Sequence, residues 1–245
     1  MKADHAHQMR LLDLQALDTR LAQIAHRRAH LPEQQILDVA SAEKTSADSD
    51  LVRARMQQTD VQRDVTKAED DVQLVRDRAA RNQARLNSGI GSPKELQSLQ
   101  HELDSLSRRQ DVLEEEQLEI MERAEAVDLM VASLEAEAAR FEQSVREARR
   151  VRDAALSVLS TEADELELKR AEIVPSVDES LMKLYEKVRA QTGMGAAAVV
   201  HRRCEGCRLE LLGADIARVA AAAADDVIRC EECGRIMVRT ADSGL

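Results

Sequence analysis

The chain has 245 residues, a formal net charge of −11 at pH 7 and only 1% aromatic residues. The acidic balance argues against a protein that wraps nucleic acid along its whole length, because phosphates are neutralised by an excess of lysine and arginine. Scarce aromatic side chains disfavour a large compact core, and no apolar run approaches the ~20 residues that cross a bilayer. We therefore expect a cytoplasmic, mainly helical protein without a membrane partner.

The first predicted helix covers residues 4–30, and apolar residues recur along one of its faces from Leu14 to Ile24. Pro32 lacks the amide hydrogen that a continuous helix needs, and the apolar phase slips at this proline. We expect the helix to break there and to pack beside residues 156–173.

Two long stretches, residues 33–87 and 93–172, place apolar residues at alternating steps of three and four. A period of 3.5 residues sustained over so many turns indicates a coiled coil. If the two arms are antiparallel, residues whose numbers add up to about 181 face each other, and apolar residues then meet apolar residues, as at Ala54 and Val127. This mirror relation predicts a hairpin within one chain, because a parallel homodimer would give no reason for it.

The turn of the hairpin is predicted at residues 87–93. Gly89 and Gly91 can adopt positive φ and end the first arm. Ser92 and Glu95 have the spacing of a capping box, with a proline between them at the first helical position.

A fourth helix is predicted at residues 176–191, with Tyr185 as an anchor that packs it into the head of the molecule and Gly193 at its end. We therefore divide the chain into a helical hairpin domain, residues 1–192, and a C-terminal segment, residues 193–245.

The C-terminal segment contains two CxxC pairs separated by 22 residues: Cys204, Cys207, Cys230 and Cys233. Four thiolates match tetrahedral Zn²⁺ and leave no open position for a catalytic water. A redox-active dithiol is the rival interpretation, but no βαβ unit surrounds either pair. We predict one structural zinc ion in a C4 zinc ribbon.

Without aromatic residues this segment is too small for a core of its own, so metal binding should supply its folding energy. Short strands are predicted at residues 209–211, 227–229 and 236–239, and a short helix or loop at 213–224. Gly206 and Gly234 fit the tight turns of the two CxxC pairs.

Seven arginines near the cysteines are candidates for binding nucleic-acid phosphates: Arg202, Arg203, Arg208, Arg218, Arg229, Arg235 and Arg239. The alternative is that they offset the charge of four thiolates on one Zn²⁺. The same segment contains eight Asp and Glu residues and no aromatic residue that could stack on a base. Both interpretations stay open.

A second basic cluster lies near the hairpin turn and consists of Arg76, Arg78, Arg81, Arg85 and Lys94. Such runs are commonly solvated flanks of a coiled coil, and a binding role is the alternative. The chain shows no Ser/His/Asp constellation, phosphate-binding glycine loop or carboxylate pair, so we expect no enzyme and no small-molecule substrate.

In combination, these features resemble a bacterial family that joins an N-terminal coiled-coil hairpin to a C-terminal C4-type zinc ribbon, formerly described as a domain of unknown function. The resemblance is carried by residues 92–102, residues 185–189, and the four cysteines with the run from Gly234 to Ile236. One departure is Val238, which stands where the family often has an aromatic residue.

The resemblance implies a zinc-binding protein without catalytic activity. It also implies partners, because some relatives are regarded as RNA- or DNA-binding regulators, and others as partners of an alternative sigma factor or of flagellar or secretion machinery. The leading hypothesis is a regulatory adaptor that binds RNA or DNA through its zinc ribbon. The alternative is a protein–protein scaffold or chaperone-like partner that uses the coiled coil.

Overall fold

The computed structural model describes residues 1–245 and contains five α-helices and four short strands. The helices are α1 (His5–Ala29), α2 (Pro32–Asn87), α3 (Pro93–Ile173), α4 (Glu179–Thr192) and α5 (Gly213–Ala221). The strands are β1 (Ala196–Val200), β2 (Arg203–Cys204), β3 (Ile228–Arg229) and β4 (Ile236–Arg239). The predicted fold class, a mainly α hairpin with a small C-terminal β ribbon, is confirmed. None of the helices combines the length and apolar composition that crossing a bilayer requires.

Helix α4 begins later than the predicted residue 176. The residues Val174–Ser176, around Pro175, form a single 3₁₀ turn. The helix starts after Asp178, whose carboxylate accepts hydrogen bonds from the amides of Ser180 and Leu181. Gly193, with φ of 76°, ends the helix in the left-handed conformation, as predicted.

Contacts divide the chain into two compact units, residues 1–34 with 151–245, and residues 35–150. The first unit joins the N-terminal helix to the ribbon, so this grouping differs from the division after residue 192 that the sequence pattern suggests. The physical reason is that α1 supplies apolar side chains to the ribbon sheet.

Within residues 35–150, the arms of α2 and α3 pack against each other in the predicted antiparallel register. Ala54 and Val127 lie in one buried cluster with Val131, and Leu37 lies in another with Val145. Small alanines face larger aliphatic side chains at these levels, which allows close packing of the two helices. Ion pairs also cross between the arms, joining Arg55 to Glu135 at 2.7 Å and Arg76 to Glu114 at 2.7 Å.

The hairpin turn has the predicted glycine conformations and capping hydrogen bonds. Gly89 and Gly91 have φ values of 65° and 148°. The Glu95 carboxylate accepts hydrogen bonds from the Ser92 amide at 2.7 Å and from the Ser92 hydroxyl at 2.9 Å. These contacts close the first turn of α3 and confirm the capping interaction.

In the other unit, α1 contacts two different partners along its length. Near its C-terminus, Ile24 packs with Leu159 and Ala163 of α3, which confirms the predicted neighbour of the first helix. Near its N-terminus, Leu11 and Leu14 are fully buried in a cluster that includes residues of α4, β1 and β4.

The four strands form one sheet in the order β2-β1-β4-β3. Strands β1 and β4 are parallel, with Ala196 opposite Ile236, and the other two pairings are antiparallel. The predicted strand at residues 209–211 is wrong, because only Glu210 forms an isolated bridge, to Arg203. Strand β1 was not predicted: its sequence, Ala-Ala-Ala-Val-Val, begins with three strong helix formers.

A buried polar cluster connects α1, α3, α4 and the start of β1. The Asp18 carboxylate, 3% exposed, accepts hydrogen bonds from the Tyr185 hydroxyl at 2.7 Å and from Arg170 Nε at 2.8 Å. The Gln15 side-chain oxygen accepts from the Gly195 amide at 2.7 Å. Tyr185 is fully buried, so its predicted role as an anchor of the head is confirmed.

Gly195 shows how closely β1 approaches this cluster. A Cβ atom at this position would lie 2.5 Å from two carbons of the Tyr185 ring. No side chain larger than hydrogen fits there, and the ring therefore packs directly on the strand backbone.

The alkaline titration of Tyr185 provides a test of this packing. Burial and the hydrogen bond to Asp18 raise the pKa of the phenol above its usual value of about 10. A raised pKa gives stability that is present below about pH 10 and is lost as the pH rises towards the folded-state value. Because Tyr185 is the only tyrosine, we expect tyrosinate absorbance to appear only when the head unfolds.

In urea, the same phenol should titrate at its ordinary pKa. Ionisation near pH 10 in protein that still retains its zinc would contradict this description of the head.

Candidate metal centre

The two CxxC segments form turns with the same backbone geometry. In each turn, the fourth residue after the first cysteine donates its amide to the carbonyl of that cysteine, Arg208 to Cys204 at 2.7 Å and Gly234 to Cys230 at 2.9 Å. Both donors have positive φ, 62° at Arg208 and 69° at Gly234. Positive φ is unfavourable for arginine and not for glycine. At this equivalent position the first turn therefore carries a long charged side chain at some conformational cost, and the second carries none.

Gly206 was predicted to serve the turn geometry, but its φ is not positive. It is required for close packing instead. A Cβ atom on Gly206 would lie 2.8 Å from Arg235 Cδ and 3.1 Å from Ala197 Cβ.

The four sulfur atoms converge on one point between the turns. The Sγ atoms of Cys204 and Cys233 are 4.0 Å apart, those of Cys207 and Cys230 are 3.9 Å apart, and all four lie within 4.8 Å of one another. A tetrahedron with Zn–S bonds of ~2.3 Å has S···S edges of ~3.8 Å. The thiol donors therefore fit one Zn²⁺, and four protein ligands make the site structural.

Burial differs among the four ligands, since Cys204 and Cys230 are buried and Cys207 and Cys233 are partly exposed. Burial raises the pKa of the Cys204 thiol to about 12, and the amides of Cys207 and Gly206 offset only part of this effect. Without a metal, Cys204 is therefore a neutral thiol at physiological pH. To hold Zn²⁺, Cys204 would have to be present as the thiolate, so the affinity for zinc should fall as the pH falls.

Apolar side chains surround the metal ligands. Val199, Val219 and Met237 are at most 1% exposed and cluster with Cys204 and Cys230. On the opposite face of the sheet, alternate residues of β1 and β4 pack on α1 and α4. The expectation that metal binding supplies the folding energy of this segment therefore needs an addition, because α1 and α4 also bury one face of its sheet.

Two of the seven candidate arginines are used inside the fold. Arg235 donates to the carbonyls of Gly206 at 2.8 Å and Thr192 at 3.1 Å. Arg239 donates to carbonyls that follow α5, including that of Ala222 at 2.7 Å. These contacts hold the first turn and α5 in place and occupy donors of both guanidinium groups. The role of Arg235 and Arg239 as phosphate ligands stays a prediction.

Two further arginines have carboxylate partners. Arg203 pairs with Glu205 at 3.0 Å, and Arg218 pairs with Asp215 at 2.8 Å and with Glu231 at 3.2 Å. These ion pairs are exposed and contribute little to stability.

The remaining three arginines are exposed. Arg202 and Arg229 each use Nε to donate to one carbonyl, that of Gly244 at 2.8 Å and that of Gly234 at 2.7 Å. Arg208 makes no side-chain hydrogen bond or ion pair. We call Arg202, Arg203 and Arg208, which border or lie within the first CxxC turn, the knuckle surface.

Sequence reasoning missed the two polar residues of α1 that connect the helices to the ribbon. Gln15 and Asp18 are at most 6% exposed. They could have been identified from their position between Leu14 and Leu21 on the apolar face of the helix. Polar side chains that are buried on such a face need hydrogen-bond partners.

Known family models match both the helical hairpin and the C-terminal ribbon. The CT398-like coiled coil hairpin domain matches residues 14–193, and the C4-type zinc ribbon domain matches residues 203–237. An uncharacterised protein of Mycobacterium tuberculosis is 36% identical over 239 residues, covering 98% of both chains. An uncharacterised protein of Mycobacterium leprae is 29% identical, covering 91% of this chain and 96% of its own.

Solved structures share the fold. A structure from Mycobacterium smegmatis has 38% identity and a TM-score of 0.88, and the match covers 98% of this chain and 100% of that one. The structure of CT398 from Chlamydia trachomatis has 18% identity and a TM-score of 0.68, with 96% and 98% covered. The hairpin and the ribbon thus occur together in proteins of very different sequence.

Proposed function

This chain belongs to the family with a CT398-like coiled coil hairpin domain, and from its zinc ribbon we propose that it is a non-enzymatic adaptor that binds nucleic acid through the knuckle surface. The zinc ion holds the surface in shape and takes no part in chemistry, because all its positions are occupied by thiolates. The adaptor acts in the cytoplasm, where four reduced cysteines retain a metal.

The observation that carries this proposal is the exposure of three arginines on one metal-held turn. Hydrogen bonds fix the backbone on both sides of them: the Arg202 amide donates to the Ser243 carbonyl at 2.8 Å, and the Arg208 amide donates to the Cys204 carbonyl at 2.7 Å. Because the backbone is already ordered, binding a phosphate costs mainly side-chain freedom.

The proposed contact is to the backbone of the nucleic acid and not to its bases. The ribbon has no Phe, Tyr or Trp side chain, and Val238, which stands where the resemblance predicts an aromatic residue, is fully buried against the helices. Stacking is therefore absent from the proposal, and sequence selectivity should be weak.

Charge reversal of the knuckle surface tests the proposal. We expect the variant with Arg202→Glu, Arg203→Glu and Arg208→Glu to lose binding of a fluorescein-labelled RNA of about 20 nucleotides, measured by anisotropy. Each lost phosphate contact lowers the salt slope by about 0.7 for single strands. If the variant loses three contacts, its affinity should fall about 20-fold less than that of the wild type when the salt is raised from 50 to 200 mM.

A matched control reverses three exposed arginines elsewhere, Arg53→Glu, Arg63→Glu and Arg146→Glu, and so changes the net charge equally. An equal loss of binding in this control, or wild-type binding that ignores salt, would eliminate the knuckle surface as the site. Retained zinc in the knuckle variant shows that the head is still folded.

A protein partner is the second candidate, favoured by large apolar side chains that stay exposed on the hairpin. Met56, Leu74, Leu118 and Leu129 are each more than 60% exposed, and a partner protein that covered them would remove this apolar surface from water. If this function is the main one, affinity purification from nuclease-treated native cells still recovers a defined protein. Loss of every partner on nuclease treatment argues against it.

A further inference from the structure

Charge is segregated along the hairpin formed by residues 35–150. The region around the turn, residues 76–109, contains seven Lys and Arg residues against four Asp and Glu. The following part of α3, residues 111–137, contains one arginine against ten Asp and Glu. A polyanion is therefore attracted to the turn region and repelled from the adjoining part of the hairpin.

The acidic residues of the turn region are occupied by contacts within the hairpin. The Asp77 carboxylate accepts from Gln73 at 2.7 Å, and the Asp104 carboxylate accepts from Gln100 at 3.2 Å. Glu95 caps the first turn of α3.

The remaining acidic residue of this region, Glu102, pairs with Arg78. Arg76 reaches across to Glu114 of the other arm. Two of the seven cations are thus neutralised by ion pairs.

The other five cations make no ion pair within hydrogen-bonding distance, and all are exposed. They are Arg81, Arg85, Lys94, Arg108 and Arg109, and we call them the tip cations. They lie on both arms, and from Lys94 to Arg109 they extend over about 22 Å of helix at ~1.5 Å per residue. In contrast, most arginines of the ribbon already donate to carbonyls or carboxylates.

The character of the surface distinguishes a nucleic acid from a protein partner. Among the large apolar residues of 76–109, only Ile90 at the turn is more than 36% exposed. Protein interfaces have an apolar centre surrounded by a polar rim, whereas nucleic-acid interfaces are more polar and strongly cationic. A polar surface with five exposed cations that form no ion pair at hydrogen-bonding distance fits the second description.

We propose that the hairpin tip is a phosphate-binding surface for nucleic acid, formed by the tip cations and separate from the zinc head. The inference rests on the proposed function for the class of partner and adds a second place of contact. Phosphate oxygens accept hydrogen bonds from the guanidinium groups and Lys94, and the neighbouring acidic segment confines the nucleic acid to the tip.

The test uses the zinc-loaded full chain with Arg81→Glu, Arg108→Glu and Arg109→Glu. Glutamate and arginine have similar helix propensities, so helicity should be unchanged by circular dichroism. The probes are the labelled RNA and a DNA duplex of the same length. We expect binding to weaken at least tenfold at low salt and the salt slope to fall by about 2 to 3, while the Arg53, Arg63 and Arg146 control stays near wild type.

The outcomes separate the two surfaces. If only the knuckle variant loses binding, the tip proposal is overturned and the head proposal stands; if only the tip variant loses binding, the reverse holds. Absence of binding to both probes by the wild-type chain overturns both. A tip variant that binds RNA normally but no longer recovers a protein partner also overturns the proposal, because it makes the tip a protein-docking surface.

Discussion

Replacing Cys230 with serine is expected to abolish stoichiometric zinc binding and to unfold the two CxxC turns. Cys230 is 3% exposed and is one of four donors that converge on the metal. Structural zinc sites of this kind contribute an apparent ~10–16 kcal/mol of binding free energy, which equals or exceeds the stability of a typical domain. Zinc analysis and the dispersion of amide resonances of residues 200–239 would measure both effects.

The matched control is Leu209→Ser, which changes an exposed side chain beside the same metal centre and should retain one zinc per chain. The hairpin helices should remain folded in both variants, because their apolar seam lies within residues 35–150. A Cys230→Ser protein with a full complement of zinc and an unchanged ribbon spectrum would contradict the metal site.

Replacing Asp18 with alanine is expected to destabilise the head by about 3–5 kcal/mol, the usual cost of breaking a buried ion pair. The change removes the acceptor of both Arg170 and the Tyr185 hydroxyl, and it leaves a partly buried guanidinium with Glu186 as its remaining carboxylate partner. Urea unfolding in excess zinc, followed by Tyr185 fluorescence, should show a lower midpoint.

Asp13→Ala is the control on the same helix, because Asp13 is 60% exposed and forms only a surface pair with Arg10. It should shift the midpoint little. Equal midpoints for the Asp18 and Asp13 variants would show that the polar cluster does not stabilise the head.

The hairpin and the metal ligands could be predicted from the sequence because their signals are local or periodic. The heptad positions fix both arms, and the mirror relation between pairs such as Leu37 and Val145 fixes their register. The glycines of the turn mark the end of the first arm, and the capping pair of Ser92 and Glu95 marks the start of the second. The cysteine spacing specifies the metal without knowledge of the fold.

The ribbon sheet and the roles of the arginines could not be predicted in the same way. Strand β1 begins with three alanines, which become a strand because pairing with β4 and burial of Ala196 against α1 override their helix propensity. Arg235 and Arg239 looked like the other five candidates in sequence. Their acceptors are carbonyls up to 43 residues away in the chain, and only tertiary structure brings them together.

The most direct test of the metal centre is zinc analysis of freshly purified protein, combined with X-ray absorption at the zinc edge. We expect one zinc per chain with four sulfur neighbours at ~2.3 Å. Protein without metal, fewer than four sulfur neighbours, or a reversible disulfide within either cysteine pair would contradict the structural zinc and favour a redox role.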